Sequence, residues 1–199
     1  MAKKGLVYLF EGGGKGKTSA ALGVAVRALM NNWKVVWVAF IKEESWNVSE
    51  KKLRDKFENL EMYFVGKGFY ISNQGSGIRD QDKKKLKIVR VNGGVVVDKA
   101  SEDEHKRAAK DGLKLVEEKL VSGNYQLVVL DEVVNAISEG LLIENEVLEV
   151  LSLRGKAHVV LTGRGASEKL EAVADLVTEC RKVKHPYDLG VTAVKGLDY

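Results

Sequence analysis

The sequence predicts a three-layer α/β domain with a mainly parallel β-sheet, and two observations support this fold class. Short apolar runs typical of buried strands alternate along the chain with longer helical patterns, an order that favours parallel strands covered by helices on both faces. A glycine-rich segment also stands directly between the first apolar run, residues 6–10, and an alanine-rich helical pattern. The 199 residues, of which 45% are hydrophobic, suit one domain over residues 1–199.

The glycine-rich segment has the composition of a phosphate-binding loop. Its backbone amides, together with the unpaired N–H groups of the helix that follows, can hold a polyphosphate. Lys17 would reach the outer phosphates, and the Thr18 hydroxyl would ligate a magnesium ion that bridges phosphate oxygens. The fold prediction is therefore a P-loop NTPase-like domain, with a variant loop because Glu11 replaces a glycine of the general pattern. The predicted nucleotide-binding residues of the loop are Gly12, Gly13, Gly14, Lys15, Gly16, Lys17, Thr18 and Ser19.

The remaining elements follow from periodicity and from turn residues. Alanine, valine and leucine recur at helical spacing over 17–31, and Ser101 with Glu104 forms a capping box that starts a helix running to about residue 121. A glycine-containing turn between two apolar runs predicts a β-hairpin over 86–98, within a hairpin insertion at 72–99. A short helix is expected at 49–57, and strands are expected at 34–40, 60–65, 127–130, 159–161 and 176–183.

Two acidic residues, Asp131 and Glu132, directly follow the buried strand predicted at 127–130. In many nucleotide sites a carboxylate at this place meets the magnesium ion that the loop threonine holds. The spacing leaves open which of the two touches the metal and which orients water or a ligand.

Composition narrows the class of partner. The net charge of +4 comes from 32 basic and 28 acidic residues, a mixed surface that does not predict nucleic-acid binding. No apolar stretch approaches 20 residues and no secretion signal precedes the first strand, so we expect no membrane contact. A single cysteine, Cys180, excludes an internal disulfide, and a cytoplasmic location is expected.

Motifs spread over most of the chain resemble those of the P-loop ATP:cob(I)alamin (corrinoid) adenosyltransferases. The phosphate loop alone is generic, whereas the later segments, in this order, are specific. They are Phe40-Ile41-Lys42, Trp46 four residues before Glu50, Val129-Leu130-Asp131-Glu132, Leu161-Thr162-Gly163-Arg164-Gly165-Ala166, Ala174-Asp175-Leu176-Val177-Thr178-Glu179, Val183-Lys184-His185-Pro186-Tyr187-Asp188 and Gly196-Leu197-Asp198-Tyr199.

The resemblance implies that the 5′-deoxyadenosyl group of ATP is transferred to the reduced cobalt of a corrinoid while triphosphate leaves whole. Cobalt(I) would be the nucleophile, so the protein would supply position and charge rather than a nucleophilic side chain. By the same resemblance Lys17, Thr18 and Glu132 are the catalytic residues. Thr18 and Glu132, with Asp131 beside them, hold Mg²⁺, and Arg164 is a further nucleotide contact.

The resemblance also places Phe69 and Ile71 at the corrinoid, in a segment where Ile71 replaces the family's tryptophan. Trp46 lies in a polar stretch, where an aromatic side chain is hard to bury, so it is expected to contact the corrinoid or a partner subunit, with simple packing as the alternative. A homodimer and an electron-donating reductase are expected by family analogy.

Two other functions stay open at this point. The chain could be a P-loop ATPase or kinase in which Asp131 or Glu132 serves a water or hydroxyl that attacks the terminal phosphate. Because Glu11 and Ile71 depart from the family pattern, it could also be a non-catalytic corrinoid or nucleotide sensor.

Overall fold

The computed structural model describes residues 4–70, 87–91 and 94–198, and the side chains of 87–91 and 94–97 are not described. Six parallel strands form one sheet in the order β3-β2-β6-β7-β1-β8. The predicted three-layer α/β class is confirmed. The strands of the sheet are β1 (Val7–Glu11), β2 (Val35–Ala39), β3 (Leu60–Phe64), β6 (Leu127–Asp131), β7 (His158–Thr162) and β8 (Leu176–Glu179).

Helices cover both faces of this sheet. On one face α1 packs with its small residues, among them Ala21 and Ala25, against strand side chains such as Trp37. The other four helices contribute to the core on the opposite face. Two inner strands of the sheet, β2 and β6, are buried throughout, as parallel strands between two helical layers must be. The helices are α1 (Lys17–Met30), α2 (Glu102–Ser122), α3 (Val133–Ser138), α4 (Glu144–Ser152) and α5 (Glu168–Val173).

Helix α2 shows how local sequence sets an element. The Ser101 hydroxyl accepts from the Glu104 backbone N–H, and the Glu104 carboxylate accepts from the Ser101 N–H, so the predicted capping box is present. Gly123 ends the helix in the left-handed region. The buried residues Ala109, Leu113 and Val116 lie on the stripe that faces the sheet.

The hairpin strands β4 (Lys87–Val91) and β5 (Gly94–Asp98) pair antiparallel and form a separate two-stranded sheet. Residues 71–86 and 92–93, which include most of the predicted insertion at 72–99, lie outside the described residues. The end of β5 is joined to α2, since Nε2 of the buried His105 lies 2.9 Å from Oδ1 of the buried Asp98.

The prediction for the last strand is wrong beyond Glu179, where β8 ends. There the Cys180 N–H donates to the Glu11 carbonyl, and the Cys180 carbonyl accepts from the Gly14 N–H. Beyond Glu179 the chain therefore runs beside the phosphate loop. It has no strand to pair with there, because the neighbouring strand β1 also ends at Glu11. The helix expected at 49–57 is a 3₁₀ helix, Ser49–Asp55.

In the described parts of the chain, no helix is both long enough and apolar enough to cross a membrane.

Candidate active site

The carboxyl ends of the parallel strands bring the predicted site residues to one edge of the sheet, where open α/β sheets commonly bind ligands. The phosphate loop follows β1, Asp131 and Glu132 lie at the end of β6, and Arg164 follows β7. The residues from Phe40 onward continue β2 at the same edge.

The phosphate loop is held against the chain that leaves β8. A Cβ atom at Gly14 would lie 2.5 Å from the Cys180 carbonyl oxygen and 2.7 Å from the Arg181 carbonyl carbon, so only glycine permits this approach. Gly13 and Lys15 are exposed on the loop, and Ser19 is exposed on the first turn of α1. The Lys15 ammonium pairs with the Asp198 carboxylate, which ties the C-terminal segment to the loop.

Lys17 lies inside the loop and is held by the loop's own backbone. Its Nζ donates to the carbonyl oxygens of Gly12 and Gly14, at 2.7 and 2.6 Å. Burial, followed by the charge of Arg164, lowers the pKa of Lys17, while the nearby Glu132 and Glu11 act in the opposite direction. A cation in this position can exchange carbonyl partners for phosphate oxygens with little movement of its side chain.

Asp131 is fully buried and accepts from three side chains. Thr18 Oγ1 and Thr162 Oγ1 donate to Oδ1, at 3.0 and 2.8 Å, and Lys42 Nζ donates to Oδ2 at 2.7 Å. The carboxylate therefore fixes the Thr18 hydroxyl hydrogen, and the Thr18 oxygen keeps lone pairs that can face a cation.

Glu132 has a different environment from its neighbour. Its backbone lies in the left-handed region, with φ 61°, and its N–H donates to Thr162 Oγ1 at 2.8 Å. Its Oε2 is buried without a hydrogen-bond partner in the described structure. Burial, followed by the charge of Asp131, raises the pKa of Glu132 to about 7.

The side chains at this edge of the sheet fit a magnesium ion. Mg²⁺ is bound in such sites by one or two protein oxygens, with phosphate and water filling the remaining positions. The unpartnered buried Oε2 of Glu132 and the Thr18 hydroxyl are donors of the kind that it prefers. Within the described ranges no cluster of three His, Cys, Asp or Glu side chains forms a metal site by itself.

Arg164 lies exposed on the loop after β7, close enough for its charge to act on Lys17. The Asn135 side chain on α3 accepts from the Arg164 N–H at 3.1 Å and so anchors this loop.

The aromatic side chains predicted at the corrinoid contact each other. The ring centroids of Trp46 and Phe69 lie 4.9 Å apart, and Phe69 is 52% exposed. Gly68 directly precedes Phe69 and has φ 91°, in the left-handed region, so glycine is the residue that suits this turn. Ile71 lies outside the described residues.

Comparison with known proteins gives a family match over residues 3–199, to the ATP:corrinoid adenosyltransferase BtuR/CobO/CobP family. The chain belongs to this family. It is 33% identical to the corrinoid adenosyltransferase CobA of Salmonella typhimurium, over 99% of this chain and 87% of that protein. It is 32% identical to a corrinoid adenosyltransferase of Pseudomonas aeruginosa, over 99% of this chain and 85% of that protein.

The predicted membership of the corrinoid adenosyltransferase family is therefore confirmed. Among solved structures, the chain is similar to the flagellar accessory protein FlaH from Methanocaldococcus jannaschii, with a TM-score of 0.47 and 12% identity. That similarity covers 88% of this chain and 70% of the other.

Four side chains that hold the site of this adenosyltransferase family member together were given no role by the sequence analysis. Three of them bind a residue at least 29 positions away in sequence, and Glu50 binds Lys42, eight positions before it. Lys42 was a detectable candidate, since it is the first cation after an all-apolar strand, much as the acidic pair stands at the end of β6. The side chains are Lys42, Glu50, Asn135 and Thr162.

Proposed function

We propose that this chain transfers the 5′-deoxyadenosyl group of ATP to the cobalt(I) of a corrinoid and releases triphosphate, in adenosylcobalamin biosynthesis or salvage. The observation that carries the proposal is the family match over residues 3–199. It is supported by the structure of the site, in which the phosphate loop, the Asp131–Glu132 pair and Arg164 lie together at the carboxyl ends of the strands.

The nucleotide would lie with its phosphates in the loop of residues 12–19. Lys17 would leave the Gly12 and Gly14 carbonyls for the phosphate oxygens, joined by the loop amides and by Arg164. These groups stabilise the negative charge that grows on the departing triphosphate, and one such donor is typically worth about 3 kcal/mol.

Thr18 and Glu132 would hold Mg²⁺, with Asp131 behind Thr18 as the acceptor that orients its hydroxyl. When bound, the ion would neutralise part of the triphosphate charge. Glu132 would then be an anion despite its raised pKa, since a cation favours the charged carboxylate.

The corrinoid would lie against Trp46 and Phe69, near the carboxyl ends of β2 and β3. Ile71 would contribute from the segment that follows. The cobalt(I) electron pair forms the bond to C5′ of the ribose, while the C5′–O5′ bond breaks and its electrons leave on triphosphate. The protein supplies no nucleophile and no general base for this step, only orientation and charge.

Three further features belong to the proposal. A cytoplasmic location agrees with the use of ATP as co-substrate, and an electron-donating reductase would supply cobalt(I). A homodimer is supported by apolar side chains that the C-terminal segment leaves exposed, namely Val183, Leu189, Val191, Val194 and Leu197.

An anaerobic assay with MgATP and chemically reduced cob(I)alamin tests the reaction. The expected result is a light-sensitive adenosyl product, followed in the visible spectrum, with intact triphosphate in equal amount. Release of phosphate and diphosphate without a cobalt–carbon product would instead identify an ATPase or kinase. Tight ATP binding without turnover, with a precursor corrinoid as well as with cobalamin, would identify a sensor.

A further inference from the structure

Lys42 is a buried cation between two carboxylates. It follows β2, its side chain is 12% exposed, and Nζ donates to Asp131 Oδ2 at 2.7 Å and to Glu50 Oε1 at 2.9 Å. The Glu50 side chain is 8% exposed and comes from the 3₁₀ helix Ser49–Asp55. A lysine this enclosed has given up most of its hydration, so its partners fix where it lies.

The charges around Lys42 are unequal. Burial by itself would lower the pKa of Lys42, but the carboxylates of Asp131, Glu132 and Glu50 outweigh it and raise the pKa above the ordinary lysine value. One ammonium thus faces three acidic side chains and keeps this group from being a buried cluster of uncompensated negative charge.

The Asp131 carboxylate needs Lys42 to keep its orientation. Both threonine hydroxyls bind Oδ1, and Lys42 is the side chain bound to Oδ2. Loss of the ammonium would leave Oδ2 without this partner in a fully buried place. Asp131 could then turn Oδ2 toward another donor or cation, and Oδ1 would no longer be aimed at Thr18.

The backbone at Lys42 is also hydrogen-bonded to the segment that leads to Phe69. Its backbone carbonyl accepts from the Gly66 N–H at 3.1 Å, and the neighbouring Ile41 carbonyl accepts from the Gly68 N–H at 3.0 Å. Gly66 and Gly68 both precede Phe69 in the chain. Because these two hydrogen bonds hold its backbone, Lys42 lies on a segment with little freedom to move.

We propose that Lys42 is a positioning residue for Mg²⁺-dependent nucleotide binding: it holds Asp131 so that the carboxylate binds the Thr18 hydroxyl hydrogen, and leaves the Thr18 oxygen and Glu132 to the cation. This inference rests on the proposed function, because it assumes that Thr18 and Glu132 bind the ion of MgATP. It gives Lys42 no contact with substrate.

The test measures binding of the ATP analogue adenosine 5′-(β,γ-imido)triphosphate by calorimetry, as a function of Mg²⁺ concentration and without corrinoid. Three variants are compared with the natural chain. Lys42→Met removes the charge at similar length, and Lys42→Arg keeps it. Lys52→Met is the matched control, on an exposed lysine of the 3₁₀ helix that carries Glu50. Circular dichroism establishes that each variant is folded.

For Lys42→Met we expect the apparent affinity for Mg²⁺ to fall at least tenfold, while binding of the Mg²⁺-free nucleotide stays within twofold. Lys42→Arg should recover to within about threefold of the natural chain, and Lys52→Met should match it. An unchanged Mg²⁺ dependence in folded Lys42→Met would overturn the inference. So would an equal loss of binding with and without Mg²⁺, since that is the effect of a merely structural residue.

If Lys42→Met does not fold, the double variant Lys42→Met/Asp131→Asn removes the ammonium together with the carboxylate charge that it balances. Because the inference makes Lys42 act through Asp131, the double variant should match Asp131→Asn within twofold in Mg²⁺ affinity. A further loss in the double variant would overturn it. If the natural chain showed no Mg²⁺-dependent binding at all, the proposed function would fail first, and the two failures are thereby distinguished.

Discussion

The hydroxyl of Thr18 donates a 3.0 Å hydrogen bond to Oδ1 of Asp131 and so joins the start of α1 to the end of β6, 113 positions further along the chain. This contact indicates that Asp131 and Glu132 have different functions. Asp131 is occupied by Thr18, Thr162 and Lys42, whereas Glu132 has a buried oxygen without a partner. Of the pair, Glu132 is the better placed to bind a cation.

Lys17→Ala should reduce adenosyl transfer about 100-fold or more while leaving the fold intact, because it removes the cation nearest the phosphates. The lost contacts in the free protein are two hydrogen bonds to loop carbonyls, which water can replace. Single-turnover assays with reduced cob(I)alamin and thermal melting measure the two effects. The matched control is Lys110→Ala, on the exposed side of α2. Turnover in Lys17→Ala at the control's rate would remove Lys17 from the phosphate site.

Phe69→Ala should raise the KM for corrinoid about tenfold, which corresponds to about 1.4 kcal/mol. The KM for ATP should stay within twofold, because Phe69 contacts Trp46 on the β3 side of the edge, away from the loop that follows β1. Since the ring is half exposed, its removal should have little effect on stability.

The control for Phe69 is Met30→Ala. Met30 is also strongly exposed, but it ends α1 at the opposite edge of the sheet from the phosphate loop. Steady-state kinetics with each substrate varied in turn should show no change for Met30→Ala. Equal increases of both KM values in Phe69→Ala would place Phe69 away from the corrinoid.

Much of the fold could be predicted because its signals are local. The alternation of apolar runs and helical patterns determines the parallel sheet, and Ser101 with Glu104 starts α2 where expected. The end of β8 could not be predicted, since the backbone of Cys180 stops the strand by bonding to Glu11 and Gly14. Helices α3 and α5 have six residues each, too few for a helical period to emerge from the sequence.

The candidate site likewise contains residues that local motifs predict and residues that only the fold brings together. The loop of residues 12–19 and the pair Asp131–Glu132 are contiguous motifs, so their residue types could be recognised together. Lys42 and Asp131 are 89 positions apart, and only the adjacency of β2 and β6 brings them into contact. That adjacency depends on strand order, which residue spacing alone does not specify.

His105→Ala should lower the free energy of unfolding by about 2 kcal/mol, because it removes the ring that lies 2.9 Å from the buried Asp98 carboxylate. For a chain of this size the melting temperature should fall by about 6 °C. The substitution also removes the edge-to-face contact between the rings of His105 and Tyr70, whose centroids lie 5.2 Å apart.

Urea denaturation and thermal melting check the prediction for His105. His105→Asn, which keeps an N–H donor, should recover part of the stability. A variant His105→Ala as stable as the natural chain would show that the hairpin is joined to α2 by other contacts.

Glu61→Gln should change stability in a pH-dependent manner. Burial opposes ionisation of Glu61, but hydrogen bonds from Lys119, Tyr125 and Tyr63 outweigh it and lower the pKa to about 2 from a reference value of 4.5. A carboxyl with a depressed folded-state pKa stabilises the fold above its unfolded pKa, and the contribution is lost as the pH falls through the folded value. Glu61 is 44% exposed, so solvent screening limits the effect to about 1 kcal/mol.

Thermal melting of the natural chain and of Glu61→Gln between pH 7 and pH 2 measures this contribution. The variant should be less stable at pH 7, and the difference should shrink as the pH falls from about 4.5 towards 2. Glu118→Gln, on an exposed position of α2, should match the natural chain throughout. A stability difference for Glu61→Gln that stayed constant down to pH 2 would mean that the ionised carboxylate is not what joins β3 to Lys119, because a contact that survives protonation does not depend on charge.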